Sequence, residues 1–259
     1  MVNILVGVKQ VVDVDSLKID RGTNTITTMG VPRKMNDFDK NALEEALRIR
    51  EKHGGRVVAV SVGPQSSRDV LKEALAMGAD EAYLITDQTI PEFDSRAVSH
   101  LIARFYAKFG PFDLVIMGEG SVDHFSLQVG PRVAELLGLP QLAYTRRLEY
   151  DERSVVAERD LEDGIHVVRS PLPCVVTVAQ EINQPRLPTL KSILAASKKP
   201  INTVSFSQLE VKTETLQPVA TTKTVVPPKT ERKKIVIDGS KPEEAVQNLI
   251  KYLGQEGLI

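Results

Sequence analysis

The chain has a single cysteine, Cys174, and no tryptophan, and aromatic residues make up only 5% of its 259 positions. One thiol excludes an internal disulfide framework and suits a reducing compartment. An excess of one charge is also missing, with 33 Lys and Arg against 34 Asp and Glu. That balance gives no reason to expect nucleic acid or an anionic membrane as partner. No apolar run approaches the ~18 residues that a membrane-spanning helix requires. The opening "MVNILVGVKQ" lacks a basic region ahead of its apolar residues and a small-residue cleavage site. It therefore reads as a first strand, not a signal peptide, and the expected compartment is the cytoplasm. There is no Gly-x-Ser-x-Gly elbow, and no His/Cys cluster has metal-ligand spacing. His53 and His100 fall in helical patterns and read as surface or packing residues. Cys174 sits in an apolar strand, where a thiol is inert. Nothing in the sequence looks like a nucleophile, a metal site or a paired acid and base.

What is present is an alternation. "NILVGVK" (Asn3 to Lys9), "RVVAVSVG", "EAYLIT" and "DLVIMG" are short buried-strand patterns. Between them lie helical patterns. "NDFDKNALEEALRIREKHGG" sets Ala42, Leu43, Ala46, Leu47 and Arg50 on one face and is stopped by Gly54-Gly55. "SSRDVLKEALAMGAD", Asp94 to Phe109 and Ser126 to Leu137 supply the other helices. Leu17 to Met35 reads as a hairpin turning around Arg21-Gly22-Thr23-Asn24. Strands alternating with helices of this length predict an α/β fold, with a mostly parallel sheet and helices on both faces. The rhythm then changes. "RRLEYDERSVVAERDLEDGIHVVRS" alternates around turns at Tyr150-Asp151-Glu152 and Glu162-Asp163-Gly164, an antiparallel hairpin excursion, before "PCVVTVAQ" returns to the buried pattern. From Glu210 to Lys234 the chain is rich in Thr, Pro and Lys, and it packs poorly alone. An amphipathic helix follows from about Pro242, with Ala245, Leu249, Ile250 and Leu253 on one face. The predicted organisation is an α/β domain over residues 1–207 and a C-terminal arm with its helix over residues 208–259.

In an open parallel sheet, ligands bind beyond the carboxyl ends of the strands. Four segments are expected there. Gly7, Val8 and Lys9 end the first strand, and Asn36, Asp37, Phe38 and Asp39 open a helix. Val62 and Gly63 end the second strand. The fourth strand runs into Gly118, Glu119, Gly120, Ser121, Val122, Asp123, His124, Phe125, Ser126, Leu127, Gln128, Val129 and Gly130. The last stretch has a logic for phosphate: glycines allow close approach, Ser126 caps the next helix, and first-turn N–H groups near Gln128, Val129 and Gly130 point at an anion. "GEGSVD" meets G-x-G-x-x-G at two of three glycines, so a Gly-rich β–α turn without a ligand is the plain alternative. His124 stands in the loop, within reach of such a ligand. The ATP-splitting loop S-G-G-x-D-S is absent, which argues against an adenylating enzyme.

The combination resembles the beta subunit of electron transfer flavoprotein, the nitrogen-fixation-linked versions included. The resemblance runs from Asn3 to about Pro200. It is carried by "ILVGVKQVVD", "MNDFDKNALEEALRIREKHG", "VVAVSVGP", "EALAMGADEAYLI", the Gly118 loop, "AERDLEDGIHVVRSPLPCVVT" and "INQPRLPTLKSILAASKKP". It implies a Rossmann-like fold and a heterodimer with an alpha subunit that supplies most contacts to FAD. The beta pocket would hold AMP or, in electron-bifurcating members, a second FAD that takes a hydride from NADH. The family loop runs close to G-[RK]-Q-A-x-D-x-D; this chain has Glu119 for the basic residue and Phe125 for the second acid. Its signature also carries His166 where Glu or Gln is usual. "NDFDKNALEEAL", "QVGP", Phe125 and Leu127 resemble the bifurcating members. The resemblance further implies that Leu190, with Ile193 and Leu194, docks on dehydrogenases, that electrons pass on to a downstream oxidoreductase, and that the C-terminal arm wraps the alpha subunit. A reading of another class is a free-standing adenine-nucleotide module of the stress-protein type. Such a module needs neither the hairpin nor the arm.

Overall fold

The computed structural model describes residues 1–20, 22–23, 25–87, 94–218 and 233–259. Each buried apolar run of the sequence is a strand: β1 (Val2–Gly7), β6 (Gly55–Val62), β7 (Glu81–Ile85), β8 (Leu114–Gly118) and β12 (Cys174–Val178). Before β6 come the short strands β2 (Gln10–Val12), β3 (Lys18–Asp20), β4 (Thr25–Thr27) and β5 (Arg33–Met35). The antiparallel excursion is β9 (Gln141–Asp151), β10 (Ser154–Leu161) and β11 (Gly164–Pro171), and a short β13 (Asn202–Val204) comes late. The helices are α1 (Asp37–His53), α2 (Arg68–Met77), α3 (Ser95–Phe109), α4 (Val129–Leu137), α5 (Leu190–Ala196) and α6 (Pro242–Gln255).

The main sheet has nine strands in the order β11-β10-β9-β12-β8-β1-β6-β7-β13. From β9 to β13 neighbouring strands run parallel, and β10 is antiparallel to both its neighbours. The expected α/β fold is therefore the one found. The period-2 pleat splits the core into two layers. Ile4 and Val6 of β1 join Leu43, Leu47 and Leu71 of α1 and α2. Leu5, between them, joins Leu101, Phe105 and Val133 of α3 and α4 on the other face.

The expected hairpin is present as β3 paired antiparallel with β4, and β5 at the end of the stretch pairs antiparallel with β2, which precedes it. In the β3–β4 turn Asp20 Oδ1 accepts the N–H groups of Gly22 and Thr23, while the expected turn residues Arg21 and Asn24 lie outside the described residues. Helix α4 begins at Val129 and not at Ser126. Phe125 and Leu127 have φ of 43° and 56°, left-handed values that a helix cannot contain. Packing also continues past residue 207. Leu209, Val211 and Leu216 are buried in the α3 layer, and Arg104 Nε donates to the Leu209 carbonyl at 2.9 Å. Of the Thr/Pro/Lys-rich stretch, residues 219–232 lie outside the described residues. No residue of α6 is buried.

Candidate functional site at the carboxyl edge of the sheet

Strands β1 and β8 are parallel neighbours that end at Gly7 and Gly118. The chain leaves β1 toward α1 on one face and leaves β8 toward α4 on the other. A crevice therefore opens between their ends, where such sheets take their ligands.

Asp39, in the first turn of α1, ties the two ends together. Its Oδ2 accepts the Lys9 N–H at 2.7 Å and its Oδ1 the Gly118 N–H at 3.2 Å. The side chain is enclosed, and burial pushes its carboxyl up to about 7, against the pull of those N–H groups, Asn36 and the Lys9 charge. Asn36 extends the tie. Its Nδ2 donates to the Gly120 carbonyl at 2.8 Å, its Oδ1 accepts the Val122 N–H at 3.2 Å, and its own N–H donates to the Lys9 carbonyl at 3.0 Å. Gly118 is required by this closeness: a Cβ there would stand 2.5 Å from Asp39 Oδ1 and 2.6 Å from Phe38 Cβ. The residues from Gly7 to Lys9, from Asn36 to Asp39 and the Gly118 loop thus share one edge.

Over this floor lies a polar cluster that the sequence did not reveal. Lys9 Nζ donates to Asp123 Oδ1 at 2.6 Å and Ser121 Oγ at 3.1 Å, and stands 3.4 Å from His124 Nδ1. Burial works against the charge on Asp123, but the Lys9 ammonium and the Ser121 hydroxyl outweigh it and hold the carboxyl low. Glu119 behaves oppositely: burial, with Glu181 nearby, raises it. Beside the cluster the Phe125 ring lies 5.7 Å from that of Phe38, tilted by 50°. The left-handed φ of Phe125 and Leu127 is costly for non-glycine residues, and such strain gathers at binding loops.

The α4 end of the loop is built differently from expectation. Ser126 is exposed and caps nothing; the residue before α4 is Gln128, which makes no capping bond either. The Gln128 side chain instead accepts from Ser95 Oγ at 2.8 Å and from Arg132. The N–H groups of Val129 and Gly130, in the first turn, have no partner within the helix, and Pro131 has none to offer. Gly130 has a packing reason as well: a Cβ would stand 2.2 Å from Thr177 Cγ2 on β12. Val8 packs in the α1 layer of the core and Val62 against the α3 layer. Gly63 donates to the Ile85 carbonyl, and Asp37 pairs with Lys34 at 3.1 Å. His53 packs on Tyr150 and His166 pairs with Asp163, each away from the crevice. Leu190, Ile193 and Leu194 come together on α5, 73%, 48% and 58% exposed. Among the described residues no helix is long and apolar enough to cross a membrane.

Comparison with known proteins identifies the family. The family model for the electron transfer flavoprotein domain matches residues 23–209. The electron transfer flavoprotein subunit beta of Thermoanaerobacterium thermosaccharolyticum is 42% identical over 99% of this chain and 100% of its own length. Protein FixA of Sinorhizobium fredii is 34% identical over 97% of this chain and 92% of its own. The caffeyl-CoA reductase-Etf complex subunit CarD of Acetobacterium woodii is 38% identical over 76% of each chain. The chain belongs to the electron transfer flavoprotein family, among its beta subunits and FixA proteins.

Proposed function

We propose that this chain is the beta half of a heterodimer that carries electrons between dehydrogenases and a downstream oxidoreductase, with FAD held mainly by the larger alpha subunit. The crevice between β1 and β8 holds an adenosine 5′-phosphate, either as AMP or as part of a second FAD. The carrying observation is the Asp39 tie, which joins the Lys9 and Gly118 backbones into one floor beside the unpartnered first turn of α4. The residues fit such a group. The Val129 and Gly130 N–H groups would receive the phosphate, Lys9 lies close, and Phe38 with Phe125 offers an aromatic wall. The apolar Phe125 and Leu127 favour a flavin ring, and a compact AMP asks less of the loop. A second FAD would add hydride acceptance from NADH, and AMP would serve structure alone.

The surfaces support the assembly. Helix α5 presents an apolar tip for a dehydrogenase, with Lys191 and Lys198 beside it. Exposed Ile235 and Val236 precede α6, whose Leu249 and Ile250 are 47% and 54% exposed. An amphipathic helix with an uncovered apolar face suits burial on the alpha subunit. Co-expression with the alpha subunit should yield a yellow complex, and denaturation should release FAD together with AMP or with a second equivalent of FAD. A colourless monomer that releases no nucleotide would contradict the proposal.

A further inference from the structure

Part of a polar stripe of α1 is shut away from water. Asn41, Glu44 and Glu45 are 4%, 3% and 8% exposed. With Arg48 they recur at helical spacing along one side. Residues 180–186, the connection between β12 and α5, lie against this stripe. Asn41 Nδ2 donates to the carbonyls of Gln180 at 3.2 Å and Asn183 at 2.8 Å. Asn183 Nδ2 returns to the Asn41 carbonyl at 3.1 Å and Glu45 Oε2 at 3.0 Å. Arg186 spans two carboxylates. Its Nε donates to Glu44 Oε2 at 2.7 Å, its Nη2 to Glu44 Oε1 at 3.2 Å and Glu51 Oε2 at 3.1 Å, and its Nη1 to Glu51 Oε1. The Arg186 backbone N–H adds a bond to Glu44 Oε2 at 3.2 Å. Arg48 Nε covers Glu44 Oε1 at 2.8 Å.

A buried ionic stripe is a poor way to gain stability, because apolar residues of similar volume do as well. What it does supply is one register. Guanidinium forked between two carboxylates accepts a single geometry. We propose that Arg186 is a positioning residue for the docking tip: it fixes α5 relative to α1, and so to the crevice that the first turn of α1 lines. This rests on the docking role given to α5 above. Pro185 and Pro188 flank Arg186 and restrict the backbone on both sides. Thr189 caps α5 by accepting the Ser192 N–H at 3.1 Å. Beyond the other end, Ala196 is buried and Lys199 Nζ donates to the Ala79 carbonyl at 2.9 Å. The tip is thus displayed on a base held at both ends. Order established before the encounter need not be imposed during it, which strengthens association.

The test uses the full heterodimer and a partner dehydrogenase that reduces the parent's flavin. Steady-state rates are measured against dehydrogenase concentration. Arg186→Gln should raise KM about tenfold and leave kcat within about twofold, with bound nucleotide unchanged. Arg186→Lys, which can satisfy one carboxylate at a time, should fall between. Glu51→Gln should raise KM less, and combining it with Arg186→Gln should add nothing. Parent-like KM in these variants, while Leu190→Ala raises it, would overturn the positioning role and spare the docking reading. Parent-like KM in Leu190→Ala as well would remove both. A fall in kcat with KM unchanged would also overturn the proposal. If the glutamine variant does not fold, Arg186→Lys and Glu51→Gln decide: unchanged KM in both refutes it.

Discussion

Helices α5 and α6 both turn leucine and isoleucine to solvent, yet they are held in opposite ways. Helix α5 is short, capped by Thr189 and tethered through Arg186 to α1. Helix α6 is longer, has no buried residue, and follows a segment whose Val236 is 92% exposed. A small apolar tip on a fixed base suits a brief encounter; a wide apolar helix face without a base suits a permanent interface. Exposure alone does not distinguish the two faces, and anchoring does.

The comparison breaks most easily at the arm. Removing residues 219–259 leaves Leu209, Val211 and Leu216 in place, so the α/β domain should remain folded. The heterodimer should weaken by at least about a hundredfold, ~2.7 kcal/mol. Size-exclusion chromatography of the co-expressed pair at nanomolar concentration reads this directly, and a complex as tight as the parent's would make α6 dispensable. Cutting at residue 207 instead should damage the domain itself, because it removes those core residues.

A smaller effect is expected at the tip. Leu190→Ala should slow dehydrogenase-dependent electron transfer about tenfold, as expected for an apolar anchor, and leave the heterodimer and its flavin spectrum unchanged. Equal rates would end the docking role.

The smallest effect is one of pH. Arg186 holds Glu51 below the ordinary carboxylate range. Burial opposes the charge on Glu44, but Arg186 and Arg48 outweigh it and lower that carboxyl too. Both folded-state values lie below the unfolded one, so the clamp contributes fully above an ordinary Glu value of 4.5 and is lost as pH falls through the lowered values. Amide exchange measured in that acidic window should show α5 losing protection, relative to its rate at neutral pH, more than α6 does. An equal response of the two helices would separate α5 from the clamp.

The α/β layering was legible because runs such as "NILVGVK" and "DLVIMG" can only be buried on both faces, and the glycines marked the strand ends correctly. The segments of the crevice were legible for the same reason, since topology puts every parallel strand's carboxyl end on one edge. The start of α4 was not, because nothing in "HFSLQVG" announces left-handed backbone at Phe125 and Leu127. The Lys9–Asp123 pair joins segments far apart in the chain, and no local pattern reports it. Glu44 and Glu45 lie off the face that Ala42, Leu43, Ala46 and Leu47 mark; their burial depends on Arg186 and Asn183 arriving from beyond β12. Leu209, Val211 and Leu216 are isolated apolar residues among polar ones, so their place in the core was hidden.

The nucleotide content of the crevice at the β1 and β8 ends tests the proposed function directly. Phe125 is 53% exposed, so Phe125→Glu should fold while it removes the ring beside Phe38 and adds a negative charge to the loop. Nucleotide released by denaturation of parent and variant heterodimers, quantified by chromatography, should fall at least about tenfold at this one site in the variant, with the alpha-subunit FAD retained. The same content in both proteins would show that the nucleotide, if bound, lies elsewhere.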